Sequence, residues 1–248
     1  MQPIVIAEEE FLEIKARKLA RGLNLDFLSK KQLVQKNNDN NSIYYFVVSK
    51  KKVYLRKGLQ KSFNPITCDF LEWSKRSQGG RLTRCMKGLS GKCSVIDATA
   101  GFGKDSLELA SVFSSVTLIE RLAWMNELLI DGINLADQEP AKSMVKRFNL
   151  IKGDAKEIFL EGNLYADVIY LDPMFPNTGS AKAKKSMQAL RELTEEDDTK
   201  VLLECSMNLA KRRVVVKRHR NSPPFEDYKP DFSIKSRVVR FDIYMTQS

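Results

Sequence analysis

Asp172-Pro173-Met174-Phe175-Pro176 puts a carboxylate, two prolines and an aromatic ring within five residues. Those types suit one particular problem. An amine attached to a planar heterocycle is a poor nucleophile, because its lone pair is spread into the ring. An acceptor on its N–H, here the Asp172 carboxylate together with a main-chain carbonyl, draws that pair back onto nitrogen. Pro173 removes a competing backbone donor and stiffens the loop. Phe175 can stack on a planar base, a contact worth about 1–3 kcal/mol. A proline-rich loop closing a strand has the same composition, so the segment gains weight only from its company.

That company is a set of acidic and glycine residues earlier in the chain. Asp97-Ala98-Thr99-Ala100-Gly101-Phe102-Gly103 has glycine where a tight turn must let backbone approach a ligand. It lacks both the G-x-G-x-x-G and the G-K-[ST] patterns. The missing third glycine weighs against a dinucleotide pyrophosphate, and D-x-x-x-G-x-G suits a ligand with an amino-acid tail and a nucleoside. Asp97, Gly101 and Gly103 are therefore candidate ligand contacts. Glu120 lies 17 residues beyond Gly103, near the spacing at which an acidic side chain accepts from both ribose hydroxyls. The bland alternative is a solvated carboxylate paired with Arg121. Asp154, before Ala155, can accept from an adenine amino group or cap a helix, and the two roles are compatible. Basic residues flank the site: Lys182, Lys184 and Lys185 after the proline motif, and Lys211, Arg212, Arg213, Lys217, Arg218 and Arg220 around a late strand. Such side chains hold phosphates without reading base sequence.

Positioning these groups requires strand ends. From Cys93 the chain reads as strands at Ser94–Asp97, Ser115–Glu120, Phe148–Lys152, Ala166–Leu171 and Arg213–Lys217. Helices are expected at Lys104–Phe113, Leu122–Leu135, Ala155–Leu160 and Thr199–Lys211. Phe232–Lys235 and Val238–Met245 close it as an antiparallel pair. Ala166–Leu171 is apolar throughout, as for a strand buried on both faces. This alternation predicts an α/β, Rossmann-like sheet, mostly parallel with an antiparallel C-terminal strand. The candidate groups then fall at its carboxyl edge, where open α/β sheets bind ligands. Residues 1–92 read differently, as a small α+β domain. It has a strand at Pro3–Ile6, a helix at Glu8–Leu23, a loop at Asn37–Asn41, a hairpin from Ile43–Val48 and Val53–Arg56, and a basic, partly helical connector at Lys57–Lys92. Domains are thus expected at 1–92, with a docking role on a polyanion, and at 93–248.

Composition narrows the classes. The chain has 248 residues, 43% hydrophobic and 29% charged, which is ordinary for a globular protein. Lys and Arg outnumber Asp and Glu by 41 to 31, a net charge of +10 that favours polyanionic partners. No apolar run is long enough to span a membrane, and the N-terminus turns acidic after six residues, unlike a signal peptide. The four cysteines form no CxxC pair and there is one histidine, His219. Reduced thiols in the cytoplasm, no metal and chemistry without imidazole are the expectation.

Asp172-Pro173-Met174-Phe175 resembles the [DNS]-P-P-[FYW] motif of methyltransferases that act on ring amines, with Met174 in place of the usual proline. Five segments extend the likeness: DATAGFGKDSLELA (97–110), LIERLAWMNELLIDGI (118–133), YLDPMFP (170–176), KRRVVVKR (211–218) and RFDIY (240–244). Together they resemble the RsmJ-type family of 16S ribosomal RNA methyltransferases over roughly residues 94–244, with a looser match at Gln78-Gly79-Gly80-Arg81. The resemblance implies a class I methyltransferase fold and S-adenosyl-L-methionine as cofactor. It also implies methylation of a guanine N2 amine near the 3′ end of 16S rRNA, in the 30S subunit. Cofactor contacts carried over on matching positions fall on Lys104 and Asp105, Glu120 and Arg121, Asp154 and Ala155, and Asp172. Lys104 stands where the family has arginine, which keeps the charge but loses the planar fork. Catalytic roles fall on Asp172, Pro173 and Phe175, and RNA contacts on Lys182, Lys184, Lys185, Lys217 and Arg218. Competing readings are a DNA or other RNA amino-methyltransferase, a nucleotide-dependent oxidoreductase on the same sheet, and a non-catalytic RNA-binding assembly protein.

Overall fold

The structure is a computed structural model that describes residues 2–35, 42–59, 64–76, 80–173, 189, 192, 193, 199–223, 225 and 227–246. The loop expected at Asn37–Asn41, the Gln78-Gly79 match, Met174, Phe175 and Pro176 of the proline motif, and Lys182, Lys184 and Lys185 lie outside the described residues. The chain divides into two compact units, the first built on Met1–Cys68 and the second holding Asp69–Asn126 and Glu196–Ser248 among its segments.

The first unit has a four-stranded sheet in the order β2-β1-β3-β4. Its strands are β1 (Ile4–Ala7), β2 (Phe27–Leu28), β3 (Tyr44–Val48) and β4 (Val53–Lys57). β3 reads Tyr-Tyr-Phe-Val-Val and is buried along its whole length. It pairs parallel to β1 and, across the expected hairpin, antiparallel to β4. Helix α1 (Glu13–Leu23) buries Ala16 and Ala20 and ends at Asn24, whose left-handed backbone (φ 53°) caps it. A short helix α2 (Lys30–Gln35) follows β2.

The helix expected from Glu8 begins only at Glu13. The Glu8 amide extends the sheet by donating to Val48 O, and Glu10–Leu12 forms a 3₁₀ turn closed from Leu12 N to Glu9 O. Three successive glutamates there also offer no short side chain to cap the helix.

The second unit is built on a seven-stranded sheet. Its order is β10-β11-β9-β8-β5-β6-β7. The strands are β5 (Ser94–Asp97), β6 (Ser115–Glu120), β7 (Phe148–Lys152), β8 (Ala166–Leu171), β9 (Ala210–His219), β10 (Phe232–Lys235) and β11 (Val239–Met245). β5 to β9 run parallel, and β11 is antiparallel to both of its neighbours. The α/β expectation, antiparallel C-terminal strand included, is met.

The helices are α3 (Phe70–Ser74), α4 (Arg81–Cys85), α5 (Lys104–Ala110), α6 (Ala123–Leu135), α7 (Ala141–Val145), α8 (Ala155–Leu160) and α9 (Thr199–Leu209). One face of the sheet packs Ile96, Ile169, Leu171, Val214 and Val216 against Phe159 of α8 and Leu202 and Leu203 of α9. α9 ends at Leu209, two residues before the expected boundary, and β9 starts at once at Ala210. β9 is also longer than expected, because β11 pairs with it over seven residues, Val239 with His219 through Met245 with Arg213.

Chain order explains why a cleft forms. β5 leads to β6 on one side, and the chain later returns to place β8 on the other side. The carboxyl ends of β5 and β8 therefore flank the point where strand order reverses, the usual ligand crevice of an open sheet.

Candidate active site

The loop after β5 is fastened to both neighbouring strands. Ala98 N donates to Tyr170 O of β8 at 3.0 Å, and Ala100 N donates to Ile119 O of β6 at 3.1 Å. Gly101 and Gly103 take φ of 52° and 76°, in the left-handed region where a Cβ is strained. Gly103 N then closes a turn onto Ala100 O at 2.8 Å, and α5 begins at Lys104. The sequence Ala-Gly-Phe-Gly folds this way because only glycine reaches both positive φ values without cost.

The acidic residues divide between anchoring and function. Asp97 is 1% exposed. It accepts from Ser106 Oγ at 2.6 Å and from Thr99 N at 3.2 Å, which ties the turn to α5. Burial pushes its carboxyl up to about 7, against the pull of these two donors. Glu120 at the end of β6 is also buried, and accepts from Gly101 N at 2.9 Å and Leu122 N at 2.8 Å. The Asn126 amide donates to Glu120 O and Leu122 O, both at 2.9 Å, and so fixes the strand-to-helix corner.

Asp154 caps α8 by accepting from Lys156 N at 2.8 Å, and lies 3.8 Å from Arg121 Nη1. Ala155, the first residue of α8, is buried. Two predicted contacts from different strand ends are therefore paired with each other.

The third group centres on Asp172. Its amide donates to Thr99 Oγ1 at 2.6 Å, which joins the end of β8 to the glycine turn. Lys217 of β9 reaches across and donates to Asp172 Oδ2 at 2.6 Å and to Asp105 Oδ2 at 2.7 Å. The Tyr170 hydroxyl donates to the same Asp105 oxygen at 2.6 Å. Burial raises the Asp172 carboxyl to about 6; Lys217 opposes that rise and Asp105 adds to it. At Asp105 burial also pushes upward, but Lys217, Tyr170 and Lys104 outweigh it and the carboxyl is held below its ordinary value. Pro173 follows Asp172 and is buried.

The structure thus brings Asp97, Gly101, Gly103, Asp105, Glu120 and Asp172 to one edge of one sheet, with Lys104 exposed at the start of α5. Lys217 and Arg218 were expected at RNA phosphates. Lys217 instead turns to two carboxylates, and Arg218 is buried with its guanidinium 4.0 Å over the Phe225 ring. The physical reason is that the later part of β9 lies inside the sheet between β8 and β11, so Lys217 and Arg218 are enclosed on opposite faces while Lys211 and Arg212 at its start stay exposed. Thr99, Ser106, Asn126 and Tyr170 carry structural parts of the site that the sequence reading did not single out. A usable signal for Lys217 lay in Arg213-Val-Val-Val-Lys217, where period two places it on the same face as Val215.

The family model for SAM-dependent methyltransferases matches residues 27–246. The chain belongs to that family. It is 36% identical to the ribosomal RNA small subunit methyltransferase J of Hydrogenovibrio crunogenus, over 98% of this chain and 94% of that protein. It is 40% identical to the protein of the same name from Nitrosococcus oceani, over 73% of this chain and 77% of the relative. The chain is therefore a member of the methyltransferase J family as well, as its motifs led one to expect. A crystal structure of a SAM-dependent methyltransferase from Neisseria gonorrhoeae matches with a TM-score of 0.70 and 26% identity, covering 98% of this chain and 95% of that one.

As a methyltransferase of this family the chain is an enzyme with S-adenosylmethionine as its cofactor, and the residues present fit that molecule. Glu120 offers an acceptor-only group of the kind two ribose hydroxyls need, and the two positive-φ glycines leave bare backbone beside it. Among the described residues no helix is long and apolar enough to cross a membrane, and no group of three His, Cys, Asp or Glu could hold a metal.

Proposed function

We propose that this chain transfers a methyl group from S-adenosylmethionine to the exocyclic N2 amine of a guanosine near the 3′ end of 16S ribosomal RNA, in the small subunit. The observation that carries the reading is the Asp172 carboxylate. It stands at the end of β8, tied to the glycine turn through Thr99 and presented with its side chain 25% exposed. The names of the relatives, small subunit methyltransferases that match 98% and 73% of the chain, supply the RNA class.

When bound, the cofactor supplies an electrophilic methyl group on a sulfonium. Glu120, with Gly101 and Gly103, holds the nucleoside part. Lys104, Asp105, Arg121, Asp154 and Ala155 complete the cofactor side. Asp172 accepts from the guanine N2–H, which restores the nitrogen lone pair and orients it. Once methylated, the amine loses its proton to Asp172 or to water, so no stronger base is needed. Much of the rate comes from holding the two partners in line. The guanine must be unpaired or flipped to enter, and Phe175 stacks on it. Lys182, Lys184 and Lys185 hold backbone phosphates. RNA docking falls on residues 1–92, where Lys15, Arg17, Lys18 and Arg21 are exposed along α1.

The experiment is transfer of tritium from labelled cofactor to small-subunit RNA and 30S particles, followed by mapping of the modified base. Label on guanine N2 near the 3′ end is expected. Label on another atom or base, a preference for duplex DNA, or no transfer at all would overturn the reading.

A further inference from the structure

Two acidic side chains and one ammonium meet at the cleft in an arrangement that the amine-acceptor role does not by itself require. Lys217 Nζ spans Asp172 Oδ2 and Asp105 Oδ2 at 2.6 and 2.7 Å, and the three side chains are only 22–26% exposed. Asp105 receives a second donor, the Tyr170 hydroxyl, and its carboxyl also lies within hydrogen-bonding reach of Asp172, so the two acids meet directly as well as through Lys217. Asp105 is the better satisfied partner and serves as the fixed end of the bridge.

We propose that Lys217 is a positioning residue for methyl transfer: it keeps the Asp172 carboxylate ionised and aimed as an acceptor for the substrate amine, with Asp105 as the anchor that holds its ammonium in place. The inference rests on the reading of Asp172 given above and assigns Lys217 a role other than phosphate binding.

The argument is electrostatic. Two carboxylates reaching for one ammonium in a partly dry site repel each other, and without a cation such a pair shares a single proton. A protonated Asp172 would present an O–H donor toward an amine that needs an acceptor. The groups facing Asp172 are Lys217 from β9, Asp105 from α5, Asp97 from β5 and Tyr170 from β8, while Lys104 of α5 acts on Asp105. Glu108 lies one turn further along α5. Burial, together with the acids around it, pushes the Tyr170 phenol well above its ordinary value, so it stays neutral and donates. Only Lys217 and Lys104 are cations, and Lys104 is exposed. The ammonium itself is secured against deprotonation: burial disfavours its charge, but Asp172 and Asp105 together raise it above the usual lysine value. Lys217 is thus the group on which the charge state of Asp172 turns.

The test follows the Asp172 carboxyl by carbon-13 NMR in the full-length protein alone, the signal being assigned by its loss in Asp172→Asn. The wild-type midpoint is expected at about 6. Lys217→Met is expected to raise it by roughly 1–3 units, and Lys217→Arg to leave it within about half a unit. Asp105→Asn is expected to lower it, and Lys217→Met with Asp105→Asn to bring it back toward wild type. In methyl-transfer assays the acid limb of kcat should move with the NMR midpoint. Lys217→Met then loses about tenfold at pH 7, with KM for RNA and its salt dependence unchanged. An unmoved midpoint in Lys217→Met overturns the inference whatever the activity does. Weaker RNA binding with a shallower salt dependence and an unmoved midpoint would make Lys217 a phosphate contact. A midpoint that moves while the acid limb stays would instead sink the acceptor role of Asp172. Should Lys217→Met fail to fold, Lys217→Gln takes its place, and a midpoint that does not rise in it overturns the inference.

Discussion

Lys217 and Arg218 are neighbours on β9, and the strand sends them to opposite faces of the sheet, into two polar clusters of opposite balance. On the Lys217 face one ammonium serves Asp105 and Asp172, with Asp97 close by. On the Arg218 face two guanidiniums, Arg218 and its cross-strand partner Arg240, share the single carboxylate of Asp242. Arg240 Nε donates to both Asp242 oxygens at 2.9 and 3.0 Å, and its Nη1 to the carbonyls of Arg220 and Ser222. Ser233 Oγ adds a bond to Asp242 at 2.6 Å. Asp242 is fully buried, whereas the Asp172 side chain is 25% exposed. The same residue types therefore do different work. A sealed, fully bonded acid braces β9, β10 and β11, while an acid in excess and open at one side can still accept from a partner that enters the cleft.

The widest separation is expected between the two carboxylates. Asp172→Ala should cut methyl transfer by about 10²–10⁴-fold while cofactor binding, followed by calorimetry, and the melting temperature change far less. Asp242→Ala should do the reverse. It strands Arg240 in the interior beside Arg218, a loss of about 3–5 kcal/mol in urea unfolding, with the turnover of the folded fraction within a few-fold of wild type. If both variants lose activity equally at unchanged stability, the division into bracing and chemistry is wrong.

The acidic, cleft-side half of that division was legible in the sequence. The acids at strand ends could be read because β5, β6 and β8 are short apolar runs ending in Asp97, Glu120 and Asp172, and because Ala-Gly-Phe-Gly can only turn. The spacing of Leu122, Met125, Leu128, Leu129 and Ile133 predicts one apolar stripe, and of these Met125, Leu128 and Leu129 are buried while Leu122 and Ile133 are half-buried. What escaped had local reasons. Phe27–Leu28 and Ala141–Val145 are too short to show a period. Tyr170 reads as one more apolar residue in a buried strand, and nothing local reveals that its hydroxyl ends on Asp105. The basic run 211–218 reads as a phosphate-binding face because clustered charge suggests surface. Only the pairing of β9 with both β8 and β11 shows that alternate members of the run are enclosed.

The comparison sharpens if the proton on the acidic side can be located. Asp97 is raised to about 7 by burial, so its folded-state value lies above its unfolded one. Stability from the protonated form is then fully present below about pH 4 and is lost as pH climbs through 7. Between pH 5 and pH 8 this amounts to about 2–3 kcal/mol. Asp97→Asn removes the titration, so the stability of wild type relative to the variant should fall by that amount over the same range in urea unfolding. Equal slopes for the two proteins would mean that Asp97 is ionised throughout, and that this face carries one more negative charge.

The smallest effect is expected on the basic side. Arg218 Nε and Nη1 are buried without a hydrogen-bond partner, as is the Tyr244 hydroxyl. The guanidinium has the Phe225 ring, 4.0 Å from its carbon, and the field of Asp242 to set against the cost of burial and the repulsion of Arg240. A cation over a ring contributes about 0.5–2 kcal/mol, while an unpaired buried donor costs about 1–3 kcal/mol. These terms oppose each other, so Arg218→Met, which keeps the stem over Phe225, should shift unfolding by no more than about 1 kcal/mol. It should also leave the salt dependence of RNA binding unchanged. A flatter salt dependence would return Arg218 to the phosphate-binding role its sequence suggested, because each lost phosphate contact lowers that slope by about one. A loss of stability matching that of Asp242→Ala would show that both arginines, and not Arg240 alone, are braced by the one carboxylate.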